Sequence, residues 1–375
     1  MSARTSVSPP SKPGPVLVEM VKAAPKPKKK LIRRLLPDNS QRIRHTVQIA
    51  FIVLNLFLGI QFYKFVRFYE TGAAGTPISR PAGVEGYLPI AGLMNLKAAI
   101  LTGEIPKIHP AGMFLIVTFL AISFLFRKTF CSWLCPVGTL SEYLWKLGRK
   151  LMRRNLHVPR WLDVGLRGLK YFLLGFFLWA VYSMAPPDIH DFLTSPYGLI
   201  ADVKMLNFFR FLGETGLIVV GVLMLLSVVI QNFWCRYLCP YGALMGLASL
   251  FSPLKITRNT ETCIDCAKCA KACPSQLPVD QLITIRSAEC TACLECVAVC
   301  PAESALVFAA PAIAKKKAVP AWAVAAGIAV IFFGTVGYAK ATNRWNTEIP
   351  SEVYRYLVPN ADKASHPMPR SSSSR

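Results

Sequence analysis

Acidic side chains are scarce in this sequence: 20 Asp and Glu stand against 43 Lys and Arg, a formal charge of +23. A basic chain invites a nucleic-acid reading. However, no aromatic-rich basic groove or DNA-binding motif is present, so that class is set aside. No cysteine lies outside a short spaced motif, which excludes a disulfide framework scattered through loops. The thiols are available for metal, in a reducing compartment. There is no Rossmann glycine fingerprint and no nucleophile–base pairing, so neither a nicotinamide or flavin catalyst nor covalent catalysis is indicated. Histidine is also sparse, with five residues and no paired spacing within one helix. His109 and His190 lie near the ends of apolar blocks, and neither is read as a haem ligand.

Apolar residues make up 53% of the 375, gathered into blocks of about twenty, the length that crosses a bilayer. Spans are expected at about 46–66, 110–127, 169–185, 213–233 and 319–339. Lys and Arg flank these blocks: eleven precede the first span and ten lie in the 127–170 connection, whereas 69–108 holds three and 186–212 two. The positive-inside rule then puts the N-terminus and the 127–170 connection in the cytoplasm and the C-terminus outside. The outer connections are apolar enough at 87–101 and 192–212 to lie along the interface as helices. Residues 1–45, rich in Pro, Ser and Lys, read as a disordered basic tail with no cleavable signal peptide.

Two cysteine runs dominate the stretch between the fourth and fifth spans. Cys263, Cys266, Cys269 and Cys273 are followed by Pro274, and Cys290, Cys293, Cys296 and Cys300 by Pro301. Each is the C-x2-C-x2-C-x3-C-P run that wraps a [4Fe-4S] cubane, with its fourth cysteine ligating the other cluster. Cluster one is assigned Cys263, Cys266, Cys269 and Cys300; cluster two is assigned Cys290, Cys293, Cys296 and Cys273. Zinc is the rival for C-x2-C pairs, but zinc needs neither the third cysteine nor the x3 step nor the proline. The fold class is an α-helical integral membrane protein of about five transmembrane helices. A small α+β ferredoxin domain of the bacterial 2[4Fe-4S] type is inserted before the last helix. The expected divisions are a tail (1–45), a four-helix membrane domain (46–252), the ferredoxin domain (253–310), a linker and last helix (311–340) and an exterior tail (341–375).

A second set of cysteines betrays a duplication. Phe130-Cys131-Ser132-Trp133-Leu134-Cys135-Pro136 recurs, 104 residues on, as Trp234-Cys235-Arg236-Tyr237-Leu238-Cys239-Pro240. Tyr87, Ile90, Ala91, Gly103 and Glu104 match Tyr197, Ile200, Ala201, Gly213 and Glu214 at an offset of 110, which marks a repeated two-helix unit with parallel copies. Residues i and i+4 share a helix face, so each span is expected to deliver two thiols at its cytoplasmic end. Cys131, Cys135, Cys235 and Cys239 together form a possible four-thiolate site for a third cluster, for Cu(I), or for dithiol chemistry.

These paired C-x3-C-P motifs followed by a double ferredoxin run resemble the NapH/NosR/CcoG group of membrane polyferredoxins. The resemblance covers about 46–358 and implies an electron carrier of the bacterial inner membrane with two [4Fe-4S] clusters. The chain lacks an outer flavin-binding domain and an immunoglobulin-like tail found in relatives, so their roles do not transfer directly. The leading expectation is electron transfer between the quinol pool, or a cytoplasmic donor, and an unidentified redox acceptor. Lys255, Arg258, Lys268 and Lys271 surround the first run and suit an acidic donor. The alternatives are copper binding or reduction in oxidase assembly, and a structural or sensor subunit of a redox complex. An enzyme with its own substrate is not indicated.

Overall fold

The computed structural model describes residues 32–34, 38–73, 75–153, 155–156, 158–311 and 318–367. Most of the expected N-terminal tail, 1–31, lies outside the described residues. The chain opens with α1 (Ser40–Glu70), 31 residues long. The described part of the tail region is therefore ordered: residues 40–45 are already helical. A short 3-10 turn leads into α2 (Pro89–Thr102), which Gly103 closes in the left-handed conformation at φ 76°. Next come α3 (Pro110–Phe126), a π turn (Phe130–Leu134) and α4 (Pro136–Met152). Then α5 (Arg160–Ser183) precedes three short helices, α6 (Pro186–Thr194), α7 (Pro196–Leu199) and α8 (Ala201–Arg210). After these, α9 (Glu214–Val229), a second π turn (Trp234–Leu238) and α10 (Pro240–Leu250) repeat the α3–π–α4 order. Each element of the copy begins 104 residues after its counterpart, the same offset as the cysteine motif.

Among the described residues three helices, α1, α5 and α13 (Ala321–Ala341), are long and apolar enough to cross a membrane. A fourth span results if α8 and α9, bent by 82°, count as one. Helices therefore occupy all five expected places, but α3 and α9 have only 17 and 16 residues. At about 1.5 Å per residue they reach roughly 25 Å, short of a hydrocarbon core of about 30 Å. What ends α3 is Arg127, held at φ 62°, after which the chain turns into the first π turn. The apolar outer connections do form helices, α2 and α6 to α8.

The ferredoxin head carries β1 (Lys255–Arg258), α11 (Lys268–Ala272), α12 (Glu295–Ala298) and β2 (Leu306–Ala309). Its two strands pair antiparallel, from Lys255 opposite Ala309 to Arg258 opposite Leu306. The head is not a bead on a string. One apolar core runs from Phe119, Ile122 and Trp133 of the helical part into Leu294, Cys296 and Phe308 of the head. Residues 32–34 extend the seam: Arg33 bridges Ala302, Arg34 N–H donates to the Pro301 carbonyl, and Glu303 N–H donates to that of Ile32.

The start of α1 meets the head, while its far end packs Phe65 and Tyr69 against Tyr354 of α14 (Ser351–Leu357). Head and C-terminal segment thus occupy opposite ends. At the far end the buried Arg80 joins Glu85 at 2.8 Å and Asp202 at 2.7 Å. His109 is enclosed there. Its Nε2 lies 2.8 Å from the Gly198 carbonyl, and its Nδ1 lies 3.4 Å from Glu85. Both ring nitrogens are engaged by protein, so this histidine offers no lone pair to a haem. His190, Glu104 and Glu214 are exposed.

Candidate metal centres

Each C-x3-C-P motif sits on a π turn rather than on the α-helical face that the i, i+4 spacing suggested. The reason is the proline. Residue 136 has no N–H, and its ring pushes Cys135 out of the α region, to φ −65° and ψ 118°. Pro136 then starts α4 at its first position, where no N–H is missed. Before it, the Cys135 N–H bonds five residues back, to the Phe130 carbonyl at 2.9 Å. In the copy Cys239 bonds to Trp234 at 3.0 Å. Such single π turns are common at functional sites. Cys135 and Cys239 become N-caps whose sulfurs accept N–H bonds from Gly138 at 3.5 Å and Gly242 at 3.2 Å.

The two π turns bring all four of these cysteines to one cavity of about 1100 Å³, which Lys128, Arg236, Tyr241 and Glu289 also line. The copies are not equally tight. A β-carbon on Gly138 would collide with the Cys131 carbonyl, whereas one on Gly242 would meet Cys239 and the Cys235 carbonyl at 3.5–3.7 Å, ordinary van der Waals contact. Gly138→Ala is therefore expected to destabilise the protein by about 1–3 kcal/mol, the usual cost of overpacking. Gly242→Ala is expected to be near neutral. Thermal melting of the two variants in detergent checks this, and equal melting points would contradict it.

In the head, Cys273 lies with the second cysteine run rather than with its own. Cys273 joins Cys290, Cys293 and Cys296 around a small pocket walled by Ile256, Leu277, Val279 and Ile285. Two left-handed residues in each run, Asp265 and Ala267, then Ala292 and Leu294, curl the loops around these sulfurs. Cys266 of the first run is exposed and Cys296 of the second is buried, with the other six head cysteines between these extremes. Of the basic residues noted beside the first run, Arg258 reaches the site: its Nη1 lies 3.6 Å from Cys263 Sγ and 3.0 Å from Asp265.

Among the described residues, no three His, Cys, Asp or Glu side chains converge as they would around a single metal ion. The sulfurs instead stand around spaces. Four thiols lining one space are a donor set that suits an iron–sulfur cluster.

The sequence does not reveal how the head is held. Arg127 donates to the carbonyls of Ile285 and Ser287, each at 2.6 Å. Ser132 donates to Thr291 at 2.6 Å, and the Trp133 indole donates to Ala292 at 3.2 Å, both just before Cys293. The fully buried Lys170 pairs with Glu289 at 2.6 Å. From the start of α1, Arg44 pairs with Glu142 at 2.6 Å and with Glu295 at 3.2 Å, and Gln41 donates to the Cys293 carbonyl. Cys293, with Pro274, Ser275 and Thr291, lines both the small pocket and the large cavity. One wall therefore separates the second set of head cysteines from the four thiols of the π turns.

A duplicated thiol motif docked against a ferredoxin-type head defines an iron–sulfur protein of electron transport, and comparison with known proteins agrees. The family described as "4Fe-4S binding domain" matches twice, at 108–155 and 212–259. The family described as "4Fe-4S dicluster domain" matches 255–301. The chain belongs to the family of YccM from Escherichia coli (strain K12), whose own assignment to electron transport is provisional. The two are 50% identical over 331 residues, covering 88% of this chain and 93% of YccM. The regulatory protein NosR of Pseudomonas aeruginosa is 33% identical over 44% of this chain and 23% of its own length. The ferredoxin-type protein NapH of Haemophilus influenzae is 27% identical over 44% of this chain and 52% of its own. No solved structure matches.

Proposed function

We propose that the protein carries electrons across the boundary between a membrane and a cytoplasmic ferredoxin head, linking the quinol pool or a cytoplasmic donor to a redox partner. The observation that carries this reading is the shared wall at Cys293, which sets one thiol group directly behind the other. Cys263, Cys266, Cys269 and Cys300 hold the first cubane; Cys290, Cys293, Cys296 and Cys273 hold the second. Cys131, Cys135, Cys235 and Cys239 hold a third centre. A cubane so held takes up or releases one electron at a time with little change of structure.

The chain's own residues supply the rest. The exposed Cys266, with Arg258 beside it, marks the face that meets a soluble partner, and the nearby basic residues favour an acidic one. Apolar Phe51, Leu54, Leu58 and Phe119 line the large cavity, a setting suited to a lipid-borne quinol. By the positive-inside rule the head and N-terminus face the cytoplasm of a bacterial inner membrane and the C-terminus faces outward.

The test is a metal count on anaerobically purified protein. About twelve irons per chain with matching sulfide are expected, eight for the head and four for the π turns. A count of eight with Cu(I) bound, and the copper lost in Cys131→Ser, would favour the metal-handling reading instead. Colourless protein holding zinc would end the electron-transfer reading altogether.

A further inference from the structure

Two buried cations face the π-turn thiols without full partners. Lys128 is 3% exposed and lines the large cavity. Its carbonyl accepts from the Cys131 N–H at 3.2 Å, but among the described residues its ammonium makes no hydrogen bond or ion pair. Its charge acts on Cys131, Cys235 and Glu289. The bend that places it is costly for a side chain: Arg127 sits at φ 62° and ψ −163°, a region few non-glycine residues enter. Arg236 lies between Cys235 and Cys239, is 5% exposed and lines the same cavity. One edge of its guanidinium meets Asp163 at 2.8 Å and Gln276 at 3.1 Å. Its Nε and Nη1 are buried with no hydrogen-bond partner. The duplication supplies these charges unevenly. At the offset of 104, Lys128 corresponds to Asn232 and Arg236 to Ser132, so each unit contributes one cation, from a different position.

We propose that Lys128 and Arg236 are the fixed counter-charges of an anionic, thiolate-held centre in this cavity and that they set its reduction potential. The inference rests on the proposed function, in which the four thiols hold such a centre. Neutral dithiols or disulfides would leave the Lys128 ammonium without an ion-pair partner and two Arg236 nitrogens buried without acceptors, which disfavours that state. Four thiolates on a 2+ iron–sulfide core carry a net charge of −2, and accepting one electron makes it −3. A nearby cation stabilises the reduced form more than the oxidised one, so it raises the potential. Lys128 and Arg236 are thus positioning charges for electron transfer rather than ligands.

The experiment is a redox titration followed by spin resonance on full-length, anaerobically purified protein, with iron and sulfide counted in the same samples. The signal absent from Cys131→Ser identifies the membrane centre. Lys128→Met is expected to lower the midpoint potential of that signal alone, and Lys128→Arg to restore it. Arg236→Lys, which keeps the charge, is expected to stay near the wild-type value. If Lys128→Met loses the membrane irons while the head keeps its own, and Lys128→Arg retains all of them, a required cation is equally supported. Loss of those irons in both Lys128 variants would mean a purely steric role and overturn the proposal. An unchanged potential in Lys128→Met protein holding about twelve irons would also overturn it, leaving the third centre intact. Wild-type protein with about eight irons and no other metal would instead remove the reading on which it rests.

Discussion

Cys273→Ser protein will lose about four irons per chain, and the cluster it loses will be the one held by Cys290, Cys293 and Cys296. Proximity in sequence suggests the opposite, since Cys273 closes the first run. In the fold, though, it belongs to the pocket of the second run, against Cys290 and Cys293. Cys300→Ser is the mirror experiment. It will damage the first cluster, whose cysteines lie nearer solvent, and leave the second. Spin-resonance spectra with fast-relaxing and interacting signals separated by redox titration distinguish the two. If Cys273→Ser removes only the first cluster, the crossed ligand set is wrong.

Arg44→Met will loosen the head from the helices, with a loss of about 3–5 kcal/mol, the range for stripping one partner from a buried ion pair. Arg44 has no exposed surface and meets Glu142 through both terminal guanidinium nitrogens, at 2.6 and 2.7 Å. It also reaches the Ser132 carbonyl and Glu295, so one side chain ties α1 to α4, to a π turn and to the head. Burial works against the charged form of Glu142. The Arg44 and Lys146 charges outweigh it and hold its pKa at about 2. The sign follows from that depression: the pair's contribution is complete above the unfolded carboxylate value of about 4.3 and fades as pH falls through about 2. Near neutral pH, faster proteolysis of the head in Arg44→Met should report the loss. Adding Glu142→Gln should recover part of the stability, because the buried carboxylate is then no longer left with Lys146 as its sole cation. A double variant no better than the single one would contradict this account.

Much of this site was legible in the cysteines. Their spacing marks the ferredoxin runs, and the offset of 104 recovers a duplication that helices, π turns and N-caps all repeat. Helices stand at the five expected places, but their lengths were not legible, because hydropathy cannot see the positive-φ residue at Arg127 that stops α3. The i, i+4 reading of Cys131 and Cys135 missed the π turn for a related reason. Pro136 acts on the residue before it as well as on the ladder after it, and so moves Cys135 off the helix. The docking residues were hidden for a different cause. Arg44, Arg127 and Lys170 find partners 98 to 251 residues away, and nothing local distinguishes them from the positive charge that orients a membrane protein. His109 is the converse case, a residue with a ligand's chemistry whose nitrogens the fold consumes.

The seam at residues 32–34 has a mechanical consequence. The ferredoxin unit is clasped from before the first helix as well as at its own two ends, so it cannot pivot as a tethered arm that fetches and delivers. Any traffic between it and other molecules requires them to travel to a stationary socket. Turnover should then follow how often a visitor arrives with its own redox group against the Cys266 face, and lengthening the 310–320 connection should leave that rate unchanged.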